Sequence, residues 1–572
     1  MRKTTICLML ALLPLLLSAQ GRSVERTYVS TDKDVYVAGE KLWCSAFCVD
    51  PAGALSKVSR VAYLELHSAD GLAATARIAL EGGRGAGALE LPVTLPTGNY
   101  RLIAYTAQNE AEEGYDYEGI AAKTLSVFNV ASTERVKNGV EILSEEEYKE
   151  RCRVKPGMTK DTPVIPGLTR NPGVSLRWDD GRLTLVNESG QPVSLSLSVW
   201  HDDGILPNDN PGIAEFLEQA RRVGPRTLAD QPVADYEGEV IHGRVVGFSE
   251  AMIPSLTGKY AFISSPSDKS DVYAAPLRED GTVVFYTANI YGAKECICEI
   301  ENIDPKLSCH IELASPYVNP AVAAPRPLPV SESLSDALSL RSLGMQLDRR
   351  FTADTLFDFL PRRSDGLFDD DVQVRYILDD YTRFPTMEEV FTEFIPEIRV
   401  RRSDAGEREL RVRLNELYGT TVLATSKALV MLDGVPVFDH EKILGYDPLL
   451  VEMVDIYPYT HFIGNRIFEG VVNFVTYKRN LPGFQFDGNA RVVDYQGVCV
   501  PMAFTGEAVA AGSDYPDYRQ TLCWHPLLQL EAGQQQVIEC GKPLYKGHFV
   551  AVAEGIDASG APVFCRIRFE IR

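Results

Sequence analysis

The stretch ALVMLDGVPVFD, residues 428–439, decides how the centre of this chain folds. An apolar run, Leu429 to Leu432, meets the dipeptide Asp433-Gly434, and a second short apolar run follows. Asp-Gly between apolar runs is a strong hairpin signal, because Gly accepts a positive φ and Asp hydrogen-bonds its own backbone. Pro436 has no amide hydrogen, so the segment after the turn is predicted to be an edge strand or an irregular one.

Two segments downstream of this hairpin also predict strands. The first is DPLLVEMVDIYPYT, residues 447–460, in which apolar and polar side chains alternate. The second is GNRIFEGVVNFVTYK, residues 464–478, which is rich in β-branched and aromatic residues. Upstream, FPTMEEVFTEFIPEIRVRR, residues 384–402, has the pattern of a helix. Together these pieces predict a small α+β module with apolar strands.

The order of these pieces resembles the plug domain of TonB-dependent outer-membrane receptors, over residues 379–478. The matching residues are Asp433, Gly434, Pro436, Gly464, Gly470, Asn473 and Thr476. The resemblance implies structural and docking roles for them. A receptor barrel of about 22 strands, at roughly 10 residues a strand plus turns, needs several hundred residues. Residues 479–572 are too few, so we expect a plug-like module without a pore and no transport by this chain alone.

The pattern of the N-terminal residues and the net charge of the chain indicate its cellular compartment. Residues 1–21 have the pattern of a secretory signal, with Arg2 and Lys3, an apolar core and a small-residue cleavage site ending at Gly21. The apolar core is too short to span a membrane, so we expect no transmembrane segment in the mature chain. Net charge is −22 and no basic stripe appears, which argues against nucleic-acid binding. We expect an exported protein of the periplasm or outer membrane, with exposure at the cell surface as one form of the second location.

The cysteine pattern favours free thiols over disulfides or metal. Ten cysteines follow the signal, without a spacing that defines a framework. One bridge among Cys523, Cys540 and Cys565 is compatible with their predicted strands. There is no Cys-x-x-Cys pair and the histidines are scattered, so no zinc site is expected. The acidic run at residues 369–371 is interpreted as a solvated surface, and no metal or cofactor is predicted.

Residues 27–130 show short strands with turns every 8–15 residues, which is typical of a β-sandwich. The order of motifs resembles a macroglobulin-like domain of the α2-macroglobulin superfamily. The resemblance implies a fold and not protease trapping, because the thioester motif Gly-Cys-Gly-Glu-Gln is absent. The residues that carry this resemblance are Asp32, Lys33, Tyr36, Gly39, Glu40 and Trp43, with Leu95, Pro96, Gly98 and Tyr100.

The remaining chain divides by composition and turn signals. Residues 131–175 predict a linker with a Pro/Gly-rich insertion, and 176–235 a hairpin or small sandwich with a helix. Residues 236–318 resemble the carboxypeptidase regulatory-like, transthyretin-like fold. Residues 319–378 predict a Pro-rich linker and a helix, and 484–572 an Ig-like sandwich with an exposed loop at Asp514, Tyr515, Asp517 and Tyr518. The predicted fold class is mainly β, with tandem sandwiches and one small α+β module.

No catalytic motif is present. The sequence lacks His-Glu-x-x-His, Gly-x-Ser-x-Gly, a phosphate-binding loop and a dinucleotide fingerprint. We therefore predict no catalytic residues and no enzyme. The leading hypothesis is a non-enzymatic envelope scaffold or binding protein whose plug-like module docks to an outer-membrane or other envelope protein, or to a polymer. The alternative is a macroglobulin-like protease inhibitor or defence protein that lacks the thioester.

Overall fold

The structure is a computed structural model that divides into two compact units. One unit comprises Met1–Tyr236, Tyr317–Pro361 and Val498–Arg572, and the other Glu237–Pro316 and Arg362–Gly497. The predicted signal (1–21), the insertion at 155–172, the acidic run at 369–371, Asp514 and Tyr515 lie outside the described residues. The structure describes residues 25–112, 114–119, 122–132, 139–154, 173–223, 235–247, 249–267, 271–303, 309–352, 357–359, 372, 374–404, 406–415, 420–504, 517–541, 543–544 and 546–572.

The first sandwich packs a three-stranded sheet, ordered β1-β3-β6, against a five-stranded sheet, ordered β2-β8-β7-β4-β5. Its core holds Tyr36, Leu42, Leu64 and Tyr100, all nearly inaccessible to solvent. The elements are β1 (Arg26–Thr31), β2 (Val35–Val37), β3 (Lys41–Val49), β4 (Val61–Ser68), β5 (Gly71–Ala79), β6 (Arg84–Glu90), β7 (Gly98–Tyr105), α1 (Ala107–Glu110) and β8 (Lys123–Phe128).

The elements that follow the first sandwich belong partly to a linker and partly to a second sandwich. Helix α3 is amphipathic and buries Phe216 and Leu217 against Tyr28 and Phe47 of the first sandwich. The elements are β9 (Val140–Ile142), α2 (Glu145–Val154), β10 (Val174–Asp179), β11 (Arg182–Asn187), β12 (Val193–Asp202) and α3 (Ile213–Val223).

The second unit begins with a sandwich of two antiparallel sheets. One is ordered β16-β13-β18 and the other β15-β14-β17-β29, around a core that includes Ile263, Phe285 and Cys298. Its elements are β13 (Val240–Val246), a 3₁₀ helix (Glu250–Leu256), β14 (Tyr260–Ser265), β15 (Asp271–Pro276), β16 (Thr282–Tyr286), β17 (Ala293–Ile300) and β18 (His310–Leu313).

The chain then returns to the first unit for β19 (Leu328–Val330), α4 (Ser335–Leu347) and β20 (Phe357–Phe359). Helix α4 lies inside the range in which the sequence predicts a helix. Its Arg341 is buried and forms an ion pair with Asp203, so the helix packs within the unit.

The predicted α+β module of the second unit contains a five-stranded sheet ordered β21-β27-β28-β25-β26 and a smaller sheet ordered β22-β23-β24. Its elements are β21 (Val374–Ile377), α5 (Met387–Phe394), β22 (Ile398–Arg402), β23 (Arg408–Asn415), β24 (Thr421–Leu423), β25 (Leu429–Leu432), β26 (Val435–Pro436), α6 (His440–Leu444), β27 (Val451–Ile463) and β28 (Arg466–Thr476). The helical pattern predicted over 384–402 was too long, because Pro396, two residues after the end of α5, cannot continue a helix and β22 begins at Ile398.

Strand β25 is buried on both faces. Val430 and Leu432 pack into the core beneath α5, whereas Leu429 and Met431 pack against Phe262 of β14. A strand covered on both faces reads as a continuous apolar run, which explains the unbroken apolar sequence that begins this segment. As the sequence predicts, β26 with Pro436 lies at the edge of the sheet.

The last strands are β29 (Ala490–Gln496), β30 (Met502–Phe504), β31 (Thr521–Leu530), β32 (Gln535–Glu539), β33 (Gly547–Asp557) and β34 (Pro562–Ile571). They do not form the separate sandwich predicted over 484–572. Strand β32 extends the β10-β11 sheet, and β12 lies between β31 and β33 in the sheet ordered β31-β12-β33-β34. The predicted domains 176–235 and 484–572 therefore share one sandwich. Strand β29 instead pairs with β17 in the second unit.

The fold class predicted from the sequence, mainly β with several sandwiches, is confirmed. No disulfide joins any two of the ten cysteines among the described residues, so the bridge considered for Cys523, Cys540 and Cys565 is not formed. No helix in the described ranges is long and apolar enough to cross a membrane.

The composite sandwich gives a stability prediction. Leu197 of β12 is fully buried, and truncation in Leu197→Ala leaves a cavity whose cost is typically about 2–5 kcal/mol. We expect the denaturant midpoint of the first unit's unfolding transition to fall accordingly. Leu527→Ala is the matched control, because Leu527 lies on the neighbouring strand β31 and is 47% exposed. Equal midpoints for the two variants would contradict the central position of β12.

Candidate functional site

The macroglobulin-like motif folds around the buried carboxylate of Asp32, in the turn between β1 and β2. Its Oδ1 accepts hydrogen bonds from Tyr36 Oη at 2.8 Å and from the Trp43 amide at 3.1 Å. Its Oδ2 accepts from Lys33 Nζ at 3.1 Å and from the hydroxyl of Thr521, on β31. One carboxylate therefore fixes the turn and joins the first sandwich to the composite one.

Gly39 and Glu40 complete this motif at the next turn. Gly39 has φ +96°, a conformation that side chains rarely adopt. The Glu40 carboxylate accepts a hydrogen bond from the Val37 amide at 2.9 Å and lies 3.8 Å from Lys33 Nζ. Burial raises the pKa of Glu40, and the nearby Lys33 ammonium opposes that shift. The structure thus brings all six predicted motif residues together.

A cavity of about 340 Å³ opens beside this motif, within the same unit. The indole rings of Trp43 and Trp524 meet there with centroids 5.4 Å apart. Its charged lining residues include Lys33, Glu40, Asp348 and Arg519. Burial raises the pKa of Asp348 to about 7, against the attraction of Arg519. Glu40 and Asp348 are therefore two carboxyl groups of this lining whose pKa values burial raises.

Sequence reasoning missed this cavity, and it placed Asp517 on an exposed loop. That prediction is wrong for Asp517, which is 5% exposed and forms a two-pronged ion pair with Arg519 at 2.7 Å. A short Asp-x-Arg segment carries no local sign of burial. The neighbouring sandwich buries the segment. The charged pair is tolerated there because the carboxylate and the guanidinium hydrogen-bond to each other.

The plug-like motif is organised by a second buried carboxylate, Asp433, at the turn after β25. Asp433 has φ +48° and is fully buried. Its Oδ1 accepts from the Thr476 amide at 2.6 Å, and its Oδ2 accepts from Thr476 Oγ1 at 2.7 Å and the Leu481 amide at 2.8 Å. The turn is therefore tied to the end of β28, which runs parallel to β25.

The other motif residues shape the same region. The Gly434 amide donates to Asn473 Oδ1 at 3.0 Å, across the β25-β28 pair. Gly464 turns the β27-β28 hairpin with φ +55°. Gly470 has φ +88°, and a Cβ there would lie 2.7 Å from Val412 Cβ, so only glycine fits. The structure brings Asp433, Gly434, Asn473 and Thr476 into one cluster, and it places Gly464 and Gly470 along the hairpin.

The carboxylate, amide, ammonium and hydroxyl side chains of both motifs form hydrogen bonds within their own units. In the ranges that the structure describes, no group of three or more His, Cys, Asp or Glu side chains is placed to hold a metal ion. The aspartates of both motifs therefore fix turns and strand ends, whereas Lys33, Glu40 and Trp43 also line the cavity beside the first motif.

A surface that the sequence did not single out lies at the end of the β27-β28 hairpin. Phe462 and Ile467 are directly paired across the hairpin and are 62% and 55% exposed. Tyr459, farther along β27, is 41% exposed. Their neighbours Ile463 and Phe468 are buried in the cluster that contains Phe262. Alternation along the strands thus leaves large apolar side chains on the outer face of a well-anchored hairpin.

No family model matches the sequence, and no curated protein matches it. Similar solved structures do exist. They include bacterial α2-macroglobulins. The native form from Escherichia coli aligns with 96% of this chain at 10% identity, with a TM-score of 0.16. The Salmonella Y1175G mutant aligns with 96% at 10% identity, with a TM-score of 0.22. The Escherichia coli adhesin FdeC aligns with 49% of this chain and 60% of its own, at 13% identity and a TM-score of 0.14.

This chain spans 22% and 39% of the lengths of those two α2-macroglobulin chains. TM-scores this low are too weak to carry any argument about function.

The hydrogen bonds of the Asp433 cluster predict that a nearly isosteric substitution lowers the free energy of unfolding. Asp433→Asn places an amide group where the carboxylate accepts three hydrogen bonds, so at least one buried donor loses its acceptor. We expect the second unit to lose about 1–3 kcal/mol of unfolding free energy, measured by chemical denaturation. The control is Asp447→Asn, at an exposed turn where one oxygen accepts from the Leu449 amide. Similar losses in both variants would refute the role of the cluster.

His440 predicts a specific acid sensitivity. Its Nδ1 accepts a hydrogen bond from the Leu410 amide at 2.9 Å, and burial lowers its pKa to about 3. In the unfolded chain a histidine has a pKa of about 6.5. Between these two pKa values the histidine is protonated in the unfolded state and neutral in the folded state. The contribution of neutral His440 to the free energy of unfolding is complete above about pH 6.5. It is lost as pH falls towards about 3, by up to about 1.4 kcal/mol per pH unit.

We expect His440→Asn, which keeps an acceptor near the Nδ1 position but does not titrate, to lose less unfolding free energy between about pH 7 and about pH 4.5 than the parent. Denaturant unfolding at both pH values measures this. His548→Asn, at an exposed histidine, should behave as the parent does. An unchanged pH dependence in His440→Asn would contradict the assignment.

Proposed function

We propose that this chain is a non-enzymatic scaffold or binding protein of the cell envelope, which docks to an outer-membrane protein through its plug-like module, residues 379–478. The exposed apolar pair Phe462 and Ile467, directly opposite each other on one face of the hairpin, carries this proposal. Large apolar side chains grouped on one surface mark interaction sites, because leaving them in water costs free energy that a partner can recover. The hairpin that presents them is held by the buried Asp433 cluster at its base.

The motif geometry supports a binding role over a catalytic one. In the plug-like module the motif side chains Asp433, Asn473 and Thr476 bond to one another's strands and turns, so the hairpin offers a partner surface shape and apolar area. Export to the periplasm or outer membrane belongs to the same proposal and is supported by the signal-like pattern at residues 1–21.

The test is site-specific photocrosslinking in isolated cell envelopes. A photoreactive phenylalanine at position 462 is expected to capture an outer-membrane protein. The same group at Tyr286, another aromatic residue of the second unit with 59% exposure, is the matched control and should not capture it. The double substitution Phe462→Ser and Ile467→Ser should reduce capture from position 459 at least tenfold without changing the unfolding midpoint, because both side chains are exposed.

Two outcomes would count against this proposal. Identical captured proteins at positions 462 and 286 would mean that the hairpin face has no special role. Capture of secreted proteases, retained after one cleavage of this chain, would favour the protease-inhibitor alternative.

A further inference from the structure

A second cavity in the first unit has a volume of about 360 Å³. Its floor is the outer face of the composite sheet, where Trp200 and Ser198 of β12 pair with Val550 and Val552 of β33. Arg566 of β34 lies opposite Val552 in the same row. The remaining walls come from the first sandwich and from the loop between β12 and α3. The floor faces away from the sandwich core, so its side chains meet the cavity.

Two cationic side chains line this cavity without a hydrogen bond or contact ion pair to any other described residue. One is Lys123, the first residue of β8, which is 6% exposed and holds its Nζ 4.7 Å from the centroid of the Tyr28 ring. The other is Arg566, whose guanidinium pKa is lowered by burial. A buried cation without a hydrogen-bonding partner is costly, so both groups gain from an added acceptor.

Six acidic side chains line the cavity, and four of them, Asp34, Asp203, Glu215 and Glu554, accept hydrogen bonds from groups of the same unit. Asp34 accepts from Asn210 Nδ2 at 3.2 Å, and Glu554 accepts from Tyr28 Oη at 2.9 Å. Asp203 accepts from Arg341 Nη2 at 3.0 Å, and Asp202 forms an ion pair with Arg568 at 2.9 Å. The lining holds six acidic side chains against four cationic ones, Lys33, Lys123, Arg341 and Arg566, so its formal charge is net negative and the two unbonded cations are local exceptions. This arrangement suits a ligand with a single negative group more than a multiply charged one.

The rest of the floor and walls is apolar. Trp200 and Phe564 are only partly covered, and Val550, Val552 and Ile213 surround them. A cavity of a few hundred cubic ångströms with apolar walls and a few convergent polar groups has the usual form of a small-molecule site. We infer that it binds a small organic monocarboxylate, with the carboxylate on Lys123 and Arg566 and the apolar body against Trp200 and Phe564. This site is independent of the hairpin face.

The experiment is calorimetric titration of the full chain with hexanoate. The comparison ligands are hexanamide, which has the same apolar body without the charge, and inorganic phosphate, which has charge without an apolar body. We expect hexanoate to bind at least tenfold more tightly than either. Lys123→Met and Arg566→Gln should each weaken hexanoate binding at least tenfold and leave hexanamide unchanged. Arg222→Gln, at an exposed arginine of the same unit, should bind as the parent does.

Each remaining result overturns the inference. Equal affinity for hexanoate and hexanamide would show that the cations do not contact the ligand, and this comparison needs no variant to fold. Phosphate binding as tightly as hexanoate would show that the site recognises charge alone. Unweakened hexanoate binding in both variants, with unfolding midpoints that confirm folded proteins, would place the ligand elsewhere.

Discussion

The pairing of β12 with both β31 and β33 is the constraint on which the first unit depends. Residues 203–520 separate β12 from β31, and the whole second unit lies within that interval of the sequence. The entropy cost of closing so long a loop rises only slowly with its length, so a complete folded unit can be carried there. The same pairing lays Ser198, Trp200 and Arg566 on one face, and that face is the floor of the proposed carboxylate site.

Two buried aspartates do similar work in the two units. Asp32 and Asp433 each follow a strand, each accept a hydrogen bond from a distant backbone amide, and each also accept from a threonine hydroxyl on another strand. A carboxylate can satisfy several donors at once, which makes it suited to fixing a turn against a neighbouring strand. This accounts for the aspartate at the start of both family-like motifs, whose carboxylates are taken up by turn and strand contacts.

The two surfaces proposed as binding sites were the parts of the structure that the sequence predicted least. The motif residues were found in the sequence because turn chemistry and glycine conformations leave local patterns. Phe462 and Ile467 are ordinary strand residues in the sequence, and only the packing of one hairpin face on Phe262 shows that the other face is exposed. Lys123 and Arg566 are separated by most of the chain, so no local pattern relates them.

The sequence by itself determined the strands, the turns at Asp32 and Asp433, and the mainly β class, because alternation and turn preferences are properties of neighbouring residues. Tertiary structure alone decided which strands share a sheet. Strands 484–572 were predicted as one sandwich, yet β29 joins the second unit and β31 to β34 join β10 to β12. The physical reason is that a strand's pattern records how much of each face is buried but not which strand supplies its hydrogen bonds, and those partners lie hundreds of residues away.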